Sequence, residues 1–152
     1  MGDTSRQGTI SQTAILNRLV QLGYEVLLPW SPDLGYDLAY YVEAEERHFG
    51  FFVHKESHLV RIQCKTARIS KDHGSLAFNT STVSMGGAGN WKKKKSGYRG
   101  RADWFAAYSP DTGKVYMVSV WDAPAASEMR LRLVPSKNNQ EKHVKWAQNY
   151  EL

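Results

Sequence analysis

From Val60 to Lys65 apolar and polar side chains alternate without a break, and this stretch constrains the fold more than any other. A period of two residues is that of a β-strand with one face against a core. It places Val60, Ile62 and Cys64 on the apolar side and Arg61, Gln63 and Lys65 on the other. Such a strand needs neighbours and an apolar layer above it. The layer is upstream, where Ile15, Leu16, Leu19 and Val20, with Ile10 about a turn earlier, share one side of a helix expected from about Thr9 to Gln21. Gly23 suits its C-terminal cap.

The other elements follow from turn chemistry and β-forming residues. Tyr24–Leu28 reads as a strand stopped by Pro29, Trp30–Gly35 as a turn, and Tyr36–Val42 as a second strand with Asp37 at its start. Glu43–Arg47 reads as a charged turn, Phe49–Val53 and Leu59–Thr66 as further strands, and Ser75–Thr80 as a short one. Trp104–Tyr108 and Lys114–Val120 suit a hairpin around Pro110–Gly113, whose aromatics Trp104, Phe105, Tyr108 and Tyr116, with Trp121 just after it, belong to its core or edge. Met129–Val134 fits an edge strand, and Gln140–Tyr150 reads as a helix that docks through Val144, Trp146, Ala147 and Tyr150. No internal repeat is present. Helix, strands and helix in that order predict an α/β or α+β sheet flanked by helices.

At 152 residues, 41% hydrophobic and 23% charged, the whole of 1–152 is expected to form one domain. No apolar run approaches the about 18 residues that span a bilayer, and MGDTSRQGT offers no secretory signal, so an intracellular protein is expected with no membrane partner. Cys64 is the only cysteine, which excludes intrachain disulfides and multi-cysteine zinc sites and leaves oxygen or histidine as metal ligands. His48, His54, His58, His73 and His143 show no metal-binding spacing. A net charge of +5 and a pI near 9.3 favour a polyanionic partner.

Hydrolysis of a phosphodiester with a metal needs an ion that neutralises phosphate charge and acidifies a bound water, with a cation or base nearby. Asp37 opens one strand, while Gln63 and Lys65 lie two apart on another, so pairing these strands would gather all three. A carboxylate, an amide oxygen and the Cys64 backbone carbonyl suit magnesium or manganese. Lys65 would then contact the attacking water and the scissile phosphate.

The amino-terminal helix, Gly23-Tyr-Glu-Val-Leu-Leu-Pro29, Tyr36-Asp-Leu38, Arg61-Ile-Gln-Cys-Lys-Thr66, Asp103-Trp-Phe-Ala106 and Val115-Tyr116 together resemble the PD-(D/E)XK nuclease superfamily. The likeness is to its branch with glutamine in place of the second acid, which includes small homing endonucleases encoded by cyanobacterial group I introns. It implies a mixed sheet flanked by helices, magnesium-dependent cleavage leaving a 5′-phosphate, and Asp37, Gln63 and Lys65 as the catalytic positions. Tyr36 stands where the family has proline. The literal Pro32-Asp33 pair falls in the preceding turn, which makes Asp33 the weaker candidate.

Many relatives carry a metal-binding glutamate in the first helix, where this chain has Gln12. Gln12 is therefore a candidate for the site that would leave it short of charge, and activity of this chain is expected to be reduced. Thr9-Ile-Ser-Gln12 also fits a capping box, in which the glutamine returns to the Thr9 N–H. Both readings stand at this point.

The stretch of about 84–103 is rich in glycine and lysine, and Lys92, Lys93, Lys94, Lys95, Arg99 and Arg101 interleave there with Trp91 and Tyr98. We expect a loop that contacts DNA phosphates. Asn79, Thr80, Ser81 and Thr82 are candidate base readers. The expected function is a site-specific double-strand DNA endonuclease of homing type, at least a homodimer and by resemblance a dimer of dimers. A junction resolvase or repair nuclease of the same superfamily, and a DNA-binding module with weakened chemistry, are the alternatives.

Overall fold

A computed structural model describes residues 3–152 except 32, 44–46, 50–51, 55–56, 72, 86–92, 126 and 136–141. Helix α1 (Asp3–Gln21) starts six residues before the predicted Thr9. That first stretch is polar and mostly exposed, so no apolar spacing marks it, although Asp3 in the first turn suits the positive end of the helix. Thr9 consequently lies inside the helix and donates from Oγ1 to the Ser5 carbonyl at 3.2 Å, which overturns the capping-box reading of Gln12. The far end closes as expected. Gly23 adopts φ +87°, its N–H donates to Val20 at 3.0 Å, and the Tyr24 N–H donates to Leu19 at 3.1 Å, the paired bonds of a left-handed helix stop.

The strands are β1 (Val26–Leu27), β2 (Leu38–Val42), β3 (Arg47–Phe49), β4 (Phe52–His54), β5 (His58–Thr66), β6 (Arg68–Ile69), β7 (Ser75–Asn79), β8 (Thr82–Met85), β9 (Lys93–Ser96), β10 (Trp104–Ser109), β11 (Lys114–Ser119) and β12 (Glu128–Arg132). Five of them form a mixed sheet in the order β1-β2-β5-β10-β11. Only the β5–β10 pair is parallel, with Ile62 beside Trp104 and Lys65 beside Ala107. A second sheet has the order β12-β7-β6, and β3-β4 and β8-β9 are hairpins. The architecture is mixed α+β with a five-stranded mixed sheet, as the sequence predicts.

Each face of the large sheet has its own cover. Ile15 and Leu19 of α1 meet Leu38, Tyr40, Val60, Ile62, Ala106 and Val115 on one side. On the other, Phe105, Ala107, Tyr116 and Val118 meet Leu76, Phe78, Met129 and Leu131 of the second sheet. That second cover stops short of the β2–β5 edge. Gln63 and Lys65 share the face of Phe105 and Ala107, their neighbours in register, and stay half-buried rather than sealed.

Two expectations fail here. Residues 142–150 form no α-helix; a single 3-10 turn, Ala147–Asn149, is followed by chain that pairs Glu151 with Tyr116 and donates from the Leu152 N–H to Val115 at 3.0 Å. Within the predicted loop of about 84–103, β9 pairs with β8, Val83 opposite Lys95. Lysine is a poor strand former, so β9 owes its conformation to the partner strand. No helix among the described residues is long and apolar enough to cross a membrane.

Candidate active site

Asp37 lies one residue before β2, whose pairing with β5 stops at Leu38 opposite Ile62. The Asp37 N–H donates to the Ile62 carbonyl at 2.8 Å, beside the Leu38–Ile62 pair, and its side chain lies against Gln63 and the Cys64 N–H. Asp37 Oδ2 accepts from the Cys64 backbone N–H at 2.7 Å and from Gln63 Nε2. Burial pushes the Asp37 carboxyl above the ordinary carboxylate range. The Cys64 N–H, the charge of Lys65 and the Gln63 amide pull it back without cancelling the shift.

Lys65 is held by Tyr98. Its Nζ donates to Tyr98 Oη at 3.1 Å and stands 4.4 Å from the centre of that ring, where the negative face attracts a cation. Tyr98 is only 8% exposed and meets Phe105 edge-on at 5.5 Å, so its position is set by the core. The sequence placed Tyr98 among the aromatics of the basic loop, and nothing in the spacing of residues 65 and 98 pointed to this contact.

Arg61, on the same face of β5, was also missed as a paired residue. Its N–H donates to Asp103 Oδ2 at 2.8 Å, Nη2 donates to Oδ1 at 2.9 Å, and Nη1 reaches the Gly100 carbonyl at 2.9 Å. The guanidinium holds the Asp103 carboxyl below the usual carboxylate range. This pair fastens the segment after Tyr98 to β5.

The oxygens at Asp37 suit a hard divalent cation. The Gln63 amide turns its N–H₂ to the carboxylate, which leaves Oε1 as its acceptor. Backbone groups alternate along a strand, and Asp37 N–H takes the Ile62 carbonyl, so the Cys64 carbonyl faces the β2 side beyond the point where β2 begins. Its nearest donor there is Gln63 Nε2 at 3.5 Å, the limit of a hydrogen bond. Carboxylate, amide and carbonyl oxygens are magnesium-type donors, with one full negative charge among them. Burial, reinforced by the charge of Asp37, drives the Cys64 thiol far above its ordinary value, so it remains protonated. No group of three or more His, Cys, Asp or Glu able to hold a metal occurs among the described residues.

Gln12 reaches this centre, though not the carboxylate. Its Nε2 lies 3.5 Å from the Asp37 carbonyl. Next to it on α1, Ser11 is buried and its Oγ lies 2.6 Å from Thr66 Oγ1, which ties the helix to the end of β5.

The basic residues spread out. Arg101 crosses the turn that precedes Asp37 so closely that a Cβ on Gly35 would meet Arg101 Cβ at 2.7 Å. Arg99 lies 5.1 Å over Trp121, and Lys95 is exposed on β9. Lys92 and Trp91 lie outside the described residues, as do the side chains of Lys93 and Lys94. Among the candidate base readers, Thr80 is buried and donates to the Pro124 carbonyl at 2.6 Å. Ser81 is buried as well and bonds twice to Asn79 Oδ1. Both hold a turn together. Asp33 is exposed in the turn, and its N–H meets Ser31 Oγ at 3.3 Å.

The sequence profile of the PD-(D/E)XK endonucleases matches residues 2–152. Among solved structures the chain is similar to a bacterial homing endonuclease, I-Ssp6803I. The TM-score is 0.67 and the identity 22%, over 99% of this chain and 89% of that one, a likeness of fold. No curated protein matches.

Proposed function

Because the chain belongs to the PD-(D/E)XK endonuclease family, we propose that it is a site-specific endonuclease for double-stranded DNA that depends on magnesium or manganese. The observation that carries this reading is the meeting of Asp37, Gln63 and Lys65 on one face at the point where β2 begins. Asp37, Gln63 Oε1 and the Cys64 carbonyl would hold the ion. When bound, it supplies charge neutralisation at the phosphate and a more acidic water.

Lys65 orients the attacking water and meets charge building on the scissile phosphate. Tyr98 takes one of its three N–H donors and leaves two for that work. Because Tyr98 holds the Lys65 ammonium by a hydrogen bond and by its ring, the ammonium is positioned before DNA arrives, which is where catalytic advantage arises. The product carries a 5′-phosphate. Arg101, Arg99 and Lys95, with Lys92, Lys93 and Lys94, bind phosphates beside the site and set the register of the duplex without reading its sequence.

One such centre within a single endonuclease domain cuts one strand, so cleavage of both strands requires a homodimer or a dimer of dimers, and two-fold symmetry suits a near-palindromic target. A DNA-binding module without chemistry is the second reading, favoured by the neutral Gln12 and Gln63 that leave Asp37 as the sole carboxylate at the matched positions.

A magnesium titration against linear duplex, single-stranded and four-way-junction DNA tests the reading. Saturable, magnesium-dependent cutting of the linear duplex is expected. Preference for the junction would instead indicate a resolvase, and tight binding with no cutting of any substrate would indicate the binding module.

A further inference from the structure

The outer face of the second sheet has a composition that its packing does not require. Leu76, Phe78, Met129 and Leu131 point inward to the core. On the opposite side a cleft of about 650 Å³ is lined by Thr66, Arg68, Lys71, Asn79, Glu128 and Arg130, among others. Arg68 and Arg130 both pair with Ala77, one from each side, so the three form a single row across the sheet. The two arginine Cα atoms are therefore about 10 Å apart, and the alanine between them keeps the floor low. Arg68 and Lys71 are exposed, and the Arg130 side chain is 67% exposed. Three cations face one carboxylate, Glu128, which pairs with Arg130 at 2.8 Å.

A solvated charged face would have this exposure too, but its place in the fold argues for a ligand. The cleft starts at Thr66, the residue after Lys65, on the same continuous chain. Arg68, three residues beyond Lys65, stands within about 10 Å of it, the most that three residues can span. A DNA strand advances about 3.4 Å per nucleotide. Arg68 and Arg130, about 10 Å apart across the sheet, match the separation of phosphates about three nucleotides apart on one strand.

We infer that this cleft is a second DNA-contact surface, separate from the glycine- and lysine-rich segment, and that it takes the phosphodiester backbone of duplex flanking the cut. The inference rests on the endonuclease reading above. Arg68, Lys71 and Arg130 supply the phosphate contacts, and Glu128 restrains Arg130 until DNA displaces it.

The test is the affinity of the full chain for a fluorescein-labelled duplex across a series of salt concentrations, in calcium to prevent cutting. Replacing both arginines, Arg68→Gln with Arg130→Gln, is expected to weaken binding about tenfold or more and to lower the slope of log affinity against log salt by nearly one per lost contact. Glu128→Gln is expected to move affinity the other way, tightening binding about threefold by freeing Arg130. Should the double variant melt below the wild type, Lys71→Gln and Glu128→Gln, both at exposed side chains, decide the matter. Wild-type affinity and slope in these variants overturn the inference alone. A wild-type chain that binds no duplex overturns the endonuclease reading with it.

Discussion

The two faces of β5 are stabilised in different ways. Toward α1, Val60 and Ile62 are buried among Ile15, Leu19, Leu38 and Tyr40, where contact is non-directional and set by apolar area. Toward the candidate site each side chain has a specific polar partner: Arg61 has Asp103, Gln63 has Asp37, and Lys65 has Tyr98. One face tolerates exchange among apolar residues of similar volume, and the other does not tolerate exchange of a donor for an acceptor. A single strand therefore holds the fold with its odd-numbered neighbours' backs turned, and displays the chemistry with them.

Substitutions on the two faces should separate stability from activity. Ile62→Ala is expected to cost about 2–5 kcal/mol in urea unfolding, since Ile62 has no exposed surface. A loss under about 1 kcal/mol would mean that the α1 face is not the principal core contact of β5. Asp103→Asn should cost less, about 1 kcal/mol at neutral pH, because the side chains of the Arg61–Asp103 pair are 32% and 37% exposed. Arg61 holds the folded-state value of Asp103 below that of the unfolded chain, so the contribution is complete above the ordinary carboxylate range and vanishes as pH falls through the lowered value. Wild type and variant should therefore converge in acid, and a difference that persists there would assign the loss to something other than the ion pair. The smallest effect concerns Gln12. Gln12→Glu brings a second carboxylate beside Asp37 and is expected to raise magnesium-dependent plasmid nicking about two- to tenfold, whereas equal or lower nicking would remove residue 12 from the site.

The polar face of β5 was legible because alternation fixes orientation: a core strand cannot bury Ile62 without turning Gln63 the other way. Asp37 was legible from its position at a strand start, and the pairing of β2 with β5 then brought its side chain to Gln63. Contacts between distant residues were not. Tyr98 joins Lys65 from 33 positions away, and Asp103 joins Arg61 from 42, with no periodicity to announce either. The polar first turns of α1 were invisible because helix ends that touch no core carry no apolar spacing. Gln140–Tyr150 failed for the opposite reason: Trp146 and Glu151 bridge to Arg132 and Tyr116, so tertiary pairing outweighs the local tendency to helix.

The central claim is that Asp37 and Lys65 form a working centre, and single-turnover cleavage of a linear duplex in magnesium tests it most directly. Lys65→Ala and Asp37→Asn should each slow cleavage on the order of a thousandfold while DNA affinity changes little. Asp37→Asn should also melt no lower than the wild type, since the asparagine oxygen can accept the same Cys64 N–H and a buried charge is gone. Cleavage within a few-fold of wild type in either folded variant would contradict the assignment.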